Sequence, residues 1–232
     1  GTVWIPEVGR NFDCPSSFRI FGAQNPLQQG GGRKGLPKSF LNRFTKVYIE
    51  RFLPQDLERI AAAQYPQILP ATITNMVRFN TEIAAKTSES RQIGRLGYPW
   101  DFNLRDILRW AEMMCTHFPA DQSTGPGDEE AAKWVDLLYV QRMRSVADRD
   151  ATSQVFEQIF GALPASDSHP HFSFTAHEFR VGRSRLSRKK QLLATAGVEI
   201  LQQQMATMET VIKAIEMRWL AIIVGDSGAG KT

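Results

Sequence analysis

The last eight residues carry the clearest chemistry in the chain. Gly225-Asp226-Ser227-Gly228-Ala229-Gly230-Lys231-Thr232 satisfies G-x-x-x-x-G-K-[ST] at every fixed position. Glycines let successive backbone N–H groups curl around phosphate oxygens. A lysine at the seventh position reaches the β- and γ-phosphates, and a hydroxyl at the eighth ligates Mg²⁺. The pattern therefore predicts a cradle for ATP built from Gly225 to Thr232, with Lys231 on the phosphates and Thr232 on the metal. The competing reading is a chance Gly-rich turn. The setting favours the cradle: Leu220 to Val224 reads as a buried strand running into the loop, behind a long amphipathic helix.

The loop closes the chain, and that shapes the expectation. A phosphate cradle sits between a strand and a helix whose N-terminus helps hold the anion. No residues for that helix follow Thr232, and no apolar run ending in an Asp-Glu pair, the usual Mg²⁺ and water-activating element, occurs upstream. The sequence reads as a piece of a longer nucleotide-binding protein, without a complete site of its own.

The elements that position these residues follow from periodicity. Thr2 to Ile5, Phe18 to Phe21 and Thr45 to Glu50 read as strands, with Gly22 to Pro26 leaving the second in a loop. Gly30 to Gly32 is a flexible tract, and Lys38 to Phe44 reads as a helix after Leu36-Pro37. From Pro54 the period changes to helical. Gln55 to Gln64, Thr72 to Thr87, Asn103 to His117 and Glu129 to Val146 each place apolar residues on one face, with Pro54 near a helix start and Asp101 or Asn103 as N-caps. Asp121 to Asp128 reads as a solvent loop and Leu163 to Pro170 as a linker. Beyond it, Phe172 to Arg180 alternates like a strand, and Arg183 to Lys190 is a basic run. Val198 to Arg218 is a helix whose Val198, Leu201, Met205, Met208, Ile212 and Ile215 form a core-facing stripe.

Composition narrows the class. With 232 residues, 42% hydrophobic and 22% charged, the chain can bury a core and is neither wholly disordered nor fibrous. Its longest apolar stretch, Trp219 to Val224, is too short to span a membrane, and no signal peptide opens it. Cys14 and Cys115 form no CxxC pair and read as free thiols in a reducing compartment. His169 and His171 have metal-like spacing but no accompanying ligands, so a linker with solvated histidines is the simpler reading. The net charge of +4 is uneven: +5 over residues 1–53, zero over 54–118, −5 over 119–170 and +4 over 171–232. Phosphate ligands account for the two basic ends as well as RNA does. The run Arg183 to Lys190 is equally readable as an RNA contact or as a solvated rim near a nucleotide.

Phe18 to Phe44, FRIFGAQNPLQQGGGRKGLPKSFLNRF, resembles the stretch of AAA+ ATPases from sensor 1 to the arginine finger. It is closest to the branch containing the MoxR ATPases and dynein. The triple glycine followed by RKGLPKSFLNRFTKVYIE is most similar to the giant members of that branch, whose six tandem units mature the large ribosomal subunit. Tyr98 to Asp106 resembles the sensor-2 helix, and Val181 to Arg188 the lead-in to a following unit. The resemblance implies catalytic roles for three residues. Asn25 matches sensor 1, which orients the attacking water. Arg43 matches the arginine finger, a group worth roughly 10³–10⁵ in rate when it stabilises γ-phosphate charge in a neighbouring site. Arg105 matches sensor 2, a lid arginine expected to act across a unit boundary. Taken alone, Asn25 is an ordinary pre-proline turn residue, Arg43 a surface arginine, and Arg105 a helix-start arginine that Asp101 and Asp106 could pair.

Within one AAA+ unit the phosphate loop comes first and the sensors later; here the order is reversed. Tandem units on one polypeptide explain this more simply than a rearranged unit. The expected fold is α/β plus all-α. Residues 1–52 end one large α/β domain, 53–165 form its helical lid, and 166–232 open the next large domain. The resemblance implies an ATP- and Mg²⁺-dependent mechanochemical enzyme whose adjacent units complete one another's sites. It further implies a nuclear and nucleolar setting, pre-60S ribosomal particles and ubiquitin-like-domain assembly factors as partners reached through other parts of the protein, and no membrane partner. The alternatives are another AAA+ motor or MoxR-type chaperone, or a non-hydrolysing ring unit.

Overall fold

The structure is a computed structural model and describes residues 2–24, 37–119, 124–165, 170–187, 201–225 and 227–228. The chain divides into two compact units, Gly1–Tyr48 and Ile49–Thr232. In the first, β1 (Thr2–Ile5) and β2 (Arg10–Asp13) form an antiparallel hairpin in which Thr2 lies opposite Asp13 and Ile5 opposite Arg10. A single helical turn, α1 (Lys38–Leu41), follows, and the Phe40 ring meets that of Phe44 at a 48° tilt with centroids 5.1 Å apart.

The second unit is dominated by five helices: α2 (Pro54–Gln64), α3 (Pro70–Ala84), α4 (Leu104–His117), α5 (Asp128–Leu138) and α6 (Val146–Phe160). Local chemistry sets their limits. Pro54 and Pro70 occupy first-turn positions, where a missing N–H costs nothing. At α4, Asn103 Oδ1 accepts from the Arg105 N–H at 2.9 Å while Asp106 Oδ2 accepts from the Asn103 N–H at 3.0 Å. At α6, Ser145 Oγ accepts from the Asp148 N–H at 3.1 Å, and Gly161 ends the helix at a left-handed φ of 73°.

The core of this bundle is aromatic. Phe79 meets Trp110, Tyr139 and Phe156 edge-on, with centroids 5.7, 5.1 and 5.6 Å away, the geometry that aromatic quadrupoles favour. The polar tips are satisfied: Asn80 Nδ2 donates to the Tyr139 hydroxyl at 2.9 Å, and Trp110 Nε1 donates to the Ala131 carbonyl at 3.1 Å. Met76, Ile83, Ile107, Met113, Met114 and Val135 fill the remaining volume.

A smaller layer follows. β3 (Phe172–Phe174), β4 (Glu178–Val181) and β5 (Ser184–Ser187) form an antiparallel sheet in that order. Helix α7 (Met205–Glu216) packs on it through Met205, Met208 and Ile212, against Val181, Phe179 and Leu186.

Several elements differ from the sequence reading. Phe18–Phe21, Thr45–Glu50 and Leu220–Val224 are not strands, and Phe21, Ile49 and Leu220 are almost fully exposed. A strand exists only through its ladder of partners, and among the described residues none of these segments joins a ladder. Arg10–Asp13, not among the strands expected from the sequence, pairs with β1. The stretch Glu129 to Val146 is not one helix: α5 ends at Leu138, Val140–Arg142 makes one tight turn, and Ser145 caps a new helix, α6, that periodicity did not reveal. Phe172 to Arg180 breaks into β3 and β4, because the Thr175 hydroxyl accepts from the N–H groups of His177 and Glu178 and turns the chain. Helix α7 begins at Met205, with Leu201 exposed ahead of it and Val198 outside the described residues. Asp101 is not a cap; its carboxylate accepts from Asn103 Nδ2 at 3.0 Å.

Candidate functional site

Of the residues singled out for chemistry, Asn25, Asp226, Ala229, Gly230, Lys231 and Thr232 lie outside the described residues. Gly225, Ser227 and Gly228 are described. Ser227 and Gly228 form a turn in which Gly228 takes φ +81°, with nothing within 4 Å of where a Cβ would stand. That left-handed, open backbone is what a phosphate cradle asks of its glycines.

Arg43 belongs to the first unit. It lies just past α1, where its N–H donates to the Phe40 carbonyl at 3.1 Å. Its side chain is exposed, and its guanidinium makes no ion pair or hydrogen bond among the described residues. An arginine that acts on another site has to be left in this condition.

Arg105 stands in the first turn of α4 and is exposed. The pairing that its two neighbouring carboxylates could offer is not made. Asp106 is engaged by the Asn103 N–H and by Arg142 Nη1 at 2.9 Å, and Asp101 by Asn103. The Arg105 guanidinium therefore faces an open groove of about 560 Å³, lined by Tyr65, Asn103, Arg105, Arg109, Glu112 and Trp219. Within it the Arg109 guanidinium lies 5.1 Å from the Trp219 ring, and Trp219 Nε1 donates to Glu112 Oε2 at 3.0 Å. Burial first, and the Glu112 carboxylate second, push the Tyr65 phenol up from its usual value, so it stays a neutral donor.

A second charged cluster lies where the small sheet meets the bundle. Glu209, 2% exposed, accepts from the Arg183 N–H at 2.7 Å and from Arg183 Nε at 3.4 Å. Arg183 Nη1 donates to the Ala165 carbonyl at 2.9 Å and also to the Lys133 carbonyl. Lys213, 1% exposed, reaches Glu216 Oε2 at 2.7 Å, the Arg183 carbonyl at 3.0 Å and His117 Nε2 at 3.2 Å, and lies 4.8 Å from the Trp134 ring. Burial, and then the Lys213 charge, pull His117 below its usual value; burial also lowers Lys213, opposed by Glu216. Arg185 is drawn in as well, its N–H donating to Glu216 Oε2 at 3.1 Å.

This cluster accounts for part of the basic run. The Arg183 guanidinium is tied to Glu209 and is not a solvated rim; the Arg185 side chain stays exposed, with its backbone N–H bonded to Glu216, and Arg188, Lys189 and Lys190 lie outside the described residues. Charge counts could not show it, because Glu209 and Glu216 lie 26 and 31 residues further along the chain than their partners. The one usable signal was Gly182, the first central residue of the two-residue β4–β5 turn, where hairpins favour glycine.

Comparison with known proteins places the helical region. A family model described as the midasin AAA lid domain matches residues 56–162, which run from the first turn of α2 to just past α6. Midasin of Dictyostelium discoideum is 37% identical over 99% of this chain, and midasin of Giardia intestinalis 28% over 100%. The chain spans only 4% and 5% of those two proteins. The match runs through the segments holding Arg43, the α2–α6 bundle with Arg105, and the Gly225 loop, and the chain belongs to the midasin family of AAA+ proteins.

Proposed function

We propose that this chain joins two nucleotide sites of a midasin-like ATPase. Residues 1–52 supply sensor 1 and the arginine finger of one AAA+ unit, 53–165 its lid, and 166–232 the entry to the next unit. The observation that carries the reading is the condition of the two arginines. Arg43 and Arg105 are exposed and unpaired among the described residues, although carboxylates stand next to Arg105.

In this reading Gly225 to Gly230 hold phosphate through backbone N–H groups, Lys231 contacts the β- and γ-phosphates, and Thr232 ligates Mg²⁺. ATP with Mg²⁺ supplies the phosphoryl group whose hydrolysis drives motion. Asn25 orients the attacking water, Arg43 offers positive charge to the γ-phosphate of an adjacent unit, and Arg105 does so from the lid. The work is the release of assembly factors, including ubiquitin-like-domain proteins, from pre-60S particles during large-subunit maturation and nuclear export. That places the protein in the nucleolus and nucleoplasm.

The test uses the intact protein. Lys231→Ala is expected to weaken nucleotide binding in the unit that begins after residue 165. Arg43→Ala is expected to lower turnover by about 10³-fold or more at one neighbouring site while leaving nucleotide affinity there nearly unchanged. Unaltered binding in the first variant, or a loss confined to binding in the second, refutes the assignment.

A further inference from the structure

The connection between the lid and the phosphate loop runs through one side chain. Helix α7 ends in a Schellman arrangement: the Trp219 N–H donates to the Ala214 carbonyl at 2.7 Å and the Arg218 N–H to the Ile215 carbonyl at 3.0 Å. The residue that must turn left-handed there is usually glycine. Here it is Arg218, at φ 59°, a conformation a residue with a Cβ keeps only when its surroundings hold it.

What this turn does is send Trp219 back onto α4. The indole lies against the lid core beside Met217, its ring beneath the Arg109 guanidinium and its N–H bonded to Glu112. Arg105, Arg109 and Glu112 follow one another at spacings of four and three residues along one face of α4, and all three line the same groove. Five residues, Leu220 to Val224, then lead to Gly225. Even fully extended, the six steps from Trp219 to Gly225 span no more than about 20 Å. Holding Trp219 therefore fixes one end of a short leash whose other end is the phosphate loop.

We propose that Trp219 is a positioning residue that couples nucleotide occupancy of the Gly225–Thr232 loop to helix α4 and its Arg105. The proposal rests on the reading of that loop as a phosphate cradle. Trp219 touches no substrate itself. It acts through the clamp formed by its cation–π contact with Arg109 and its hydrogen bond to Glu112, so a shift of the leash on nucleotide binding pulls on the helix that bears Arg105.

The experiment is hydrogen exchange by mass spectrometry on the full-length protein, with and without a non-hydrolysable ATP analogue. In the unsubstituted protein, nucleotide is expected to change protection in both the 220–232 and the 104–117 peptides. Lys231→Ala is expected to abolish both changes. Trp219→Ala is expected to keep the 220–232 change and reduce the 104–117 change by at least about fivefold, the lower range of coupling between sites. Arg109→Ala combined with Glu112→Ala removes the clamp without opening the core and is expected to give the same loss. Trp219→Phe, which keeps the ring under Arg109, is expected to restore part of it. Unchanged protection of the 70–84 and 146–160 peptides shows the lid intact in each variant; where Trp219→Ala lowers it, the double variant decides. A response in 104–117 of full size without the clamp, or without Lys231, overturns the proposal. A response in 220–232 alone in the unsubstituted protein overturns it too, and leaves the cradle standing. No response in either peptide refutes the cradle, and the coupling with it.

Discussion

Gly182 is a demanding position among the described residues, and replacing it with alanine tests the account of the sheet–helix joint. It sits at φ +53°, and a Cβ there would stand 2.5 Å from Glu209 Oε1, 2.6 Å from its Cδ and 2.9 Å from its Oε2. Two costs follow. Holding alanine in the left-handed region costs about 1–2 kcal/mol. The carboxylate must also move, and because Glu209 is 2% exposed it has no water to move into. It then gives up the 2.7 Å bond from the Arg183 N–H, a charge-assisted contact worth about 1.5–3 kcal/mol. The sum is roughly 3–5 kcal/mol, or about 6–20 °C in Tm for a chain of this size. Thermal unfolding followed by tryptophan fluorescence reads it directly, since Trp134 lies against Lys213 and Arg183. A double-mutant cycle separates the parts: in a Glu209→Ala background only the backbone cost of about 1–2 kcal/mol should remain for Gly182→Ala. A single-mutant loss below about 1 kcal/mol refutes the reasoning. So does a loss that is undiminished when Glu209 is already gone.

Two other perturbations follow from the same structure. His117 is held below its usual pKa of 6.5, first by burial and then by Lys213, so between the folded and unfolded values the unfolded chain binds more protons. Its contribution is present above pH 6.5 and is lost as pH falls; denaturant unfolding from pH 7 to 5 should show this limb flatten in His117→Gln, and an unchanged slope contradicts it. Phe79→Ala removes the ring that touches three others in the lid core and should cost about 3–5 kcal/mol, seen as lost exchange protection across α3, α4 and α6 together.

The lid was legible because its information is local. Each helix carries its own apolar face and its own start signal, such as Pro54, or Asn103 with Asp106, and the sequence-adjacent pairs α2–α3 and α4–α5 pack together, although α3 also packs on distant α6. Where periodicity failed, a short polar contact had overridden it: Ser145 begins α6 inside what read as one long helix, and Thr175 breaks what read as one strand. The phosphate-loop motif was legible as residue types at fixed spacing, whereas Arg43 and Arg105 stood out only through the family resemblance of the segments around them. That Arg105 stands free of partners was not legible, because it depends on Arg142 and Asn103 occupying the competing carboxylates.

The same contrast explains the joint after the lid. Residues near 165 read as a linker, and a linker suggests a hinge. The contacts argue otherwise. Arg183, from the β4–β5 turn, donates to backbone carbonyls at Ala165 and Lys133, and its own carbonyl accepts from Lys213, which also meets His117 at the end of α4. A swing of α7 and its sheet away from α4 and α5 leaves the Arg183–Glu209 and Lys213–Glu216 pairs intact, since both partners move together, but it must break the Arg183 bonds to the Ala165 and Lys133 carbonyls and the Lys213–His117 contact. Hydrogen bonds to charged groups are worth about 1.5–3 kcal/mol each. With Trp219 clamped on α4 as well, the lid and the α7 layer are bonded at two places along α4, Arg109–Glu112 at its middle and His117 at its C-terminal end. Two anchors on one helix resist rotation as well as separation, which is the property a strut needs if movement at one nucleotide site is to be felt at the next.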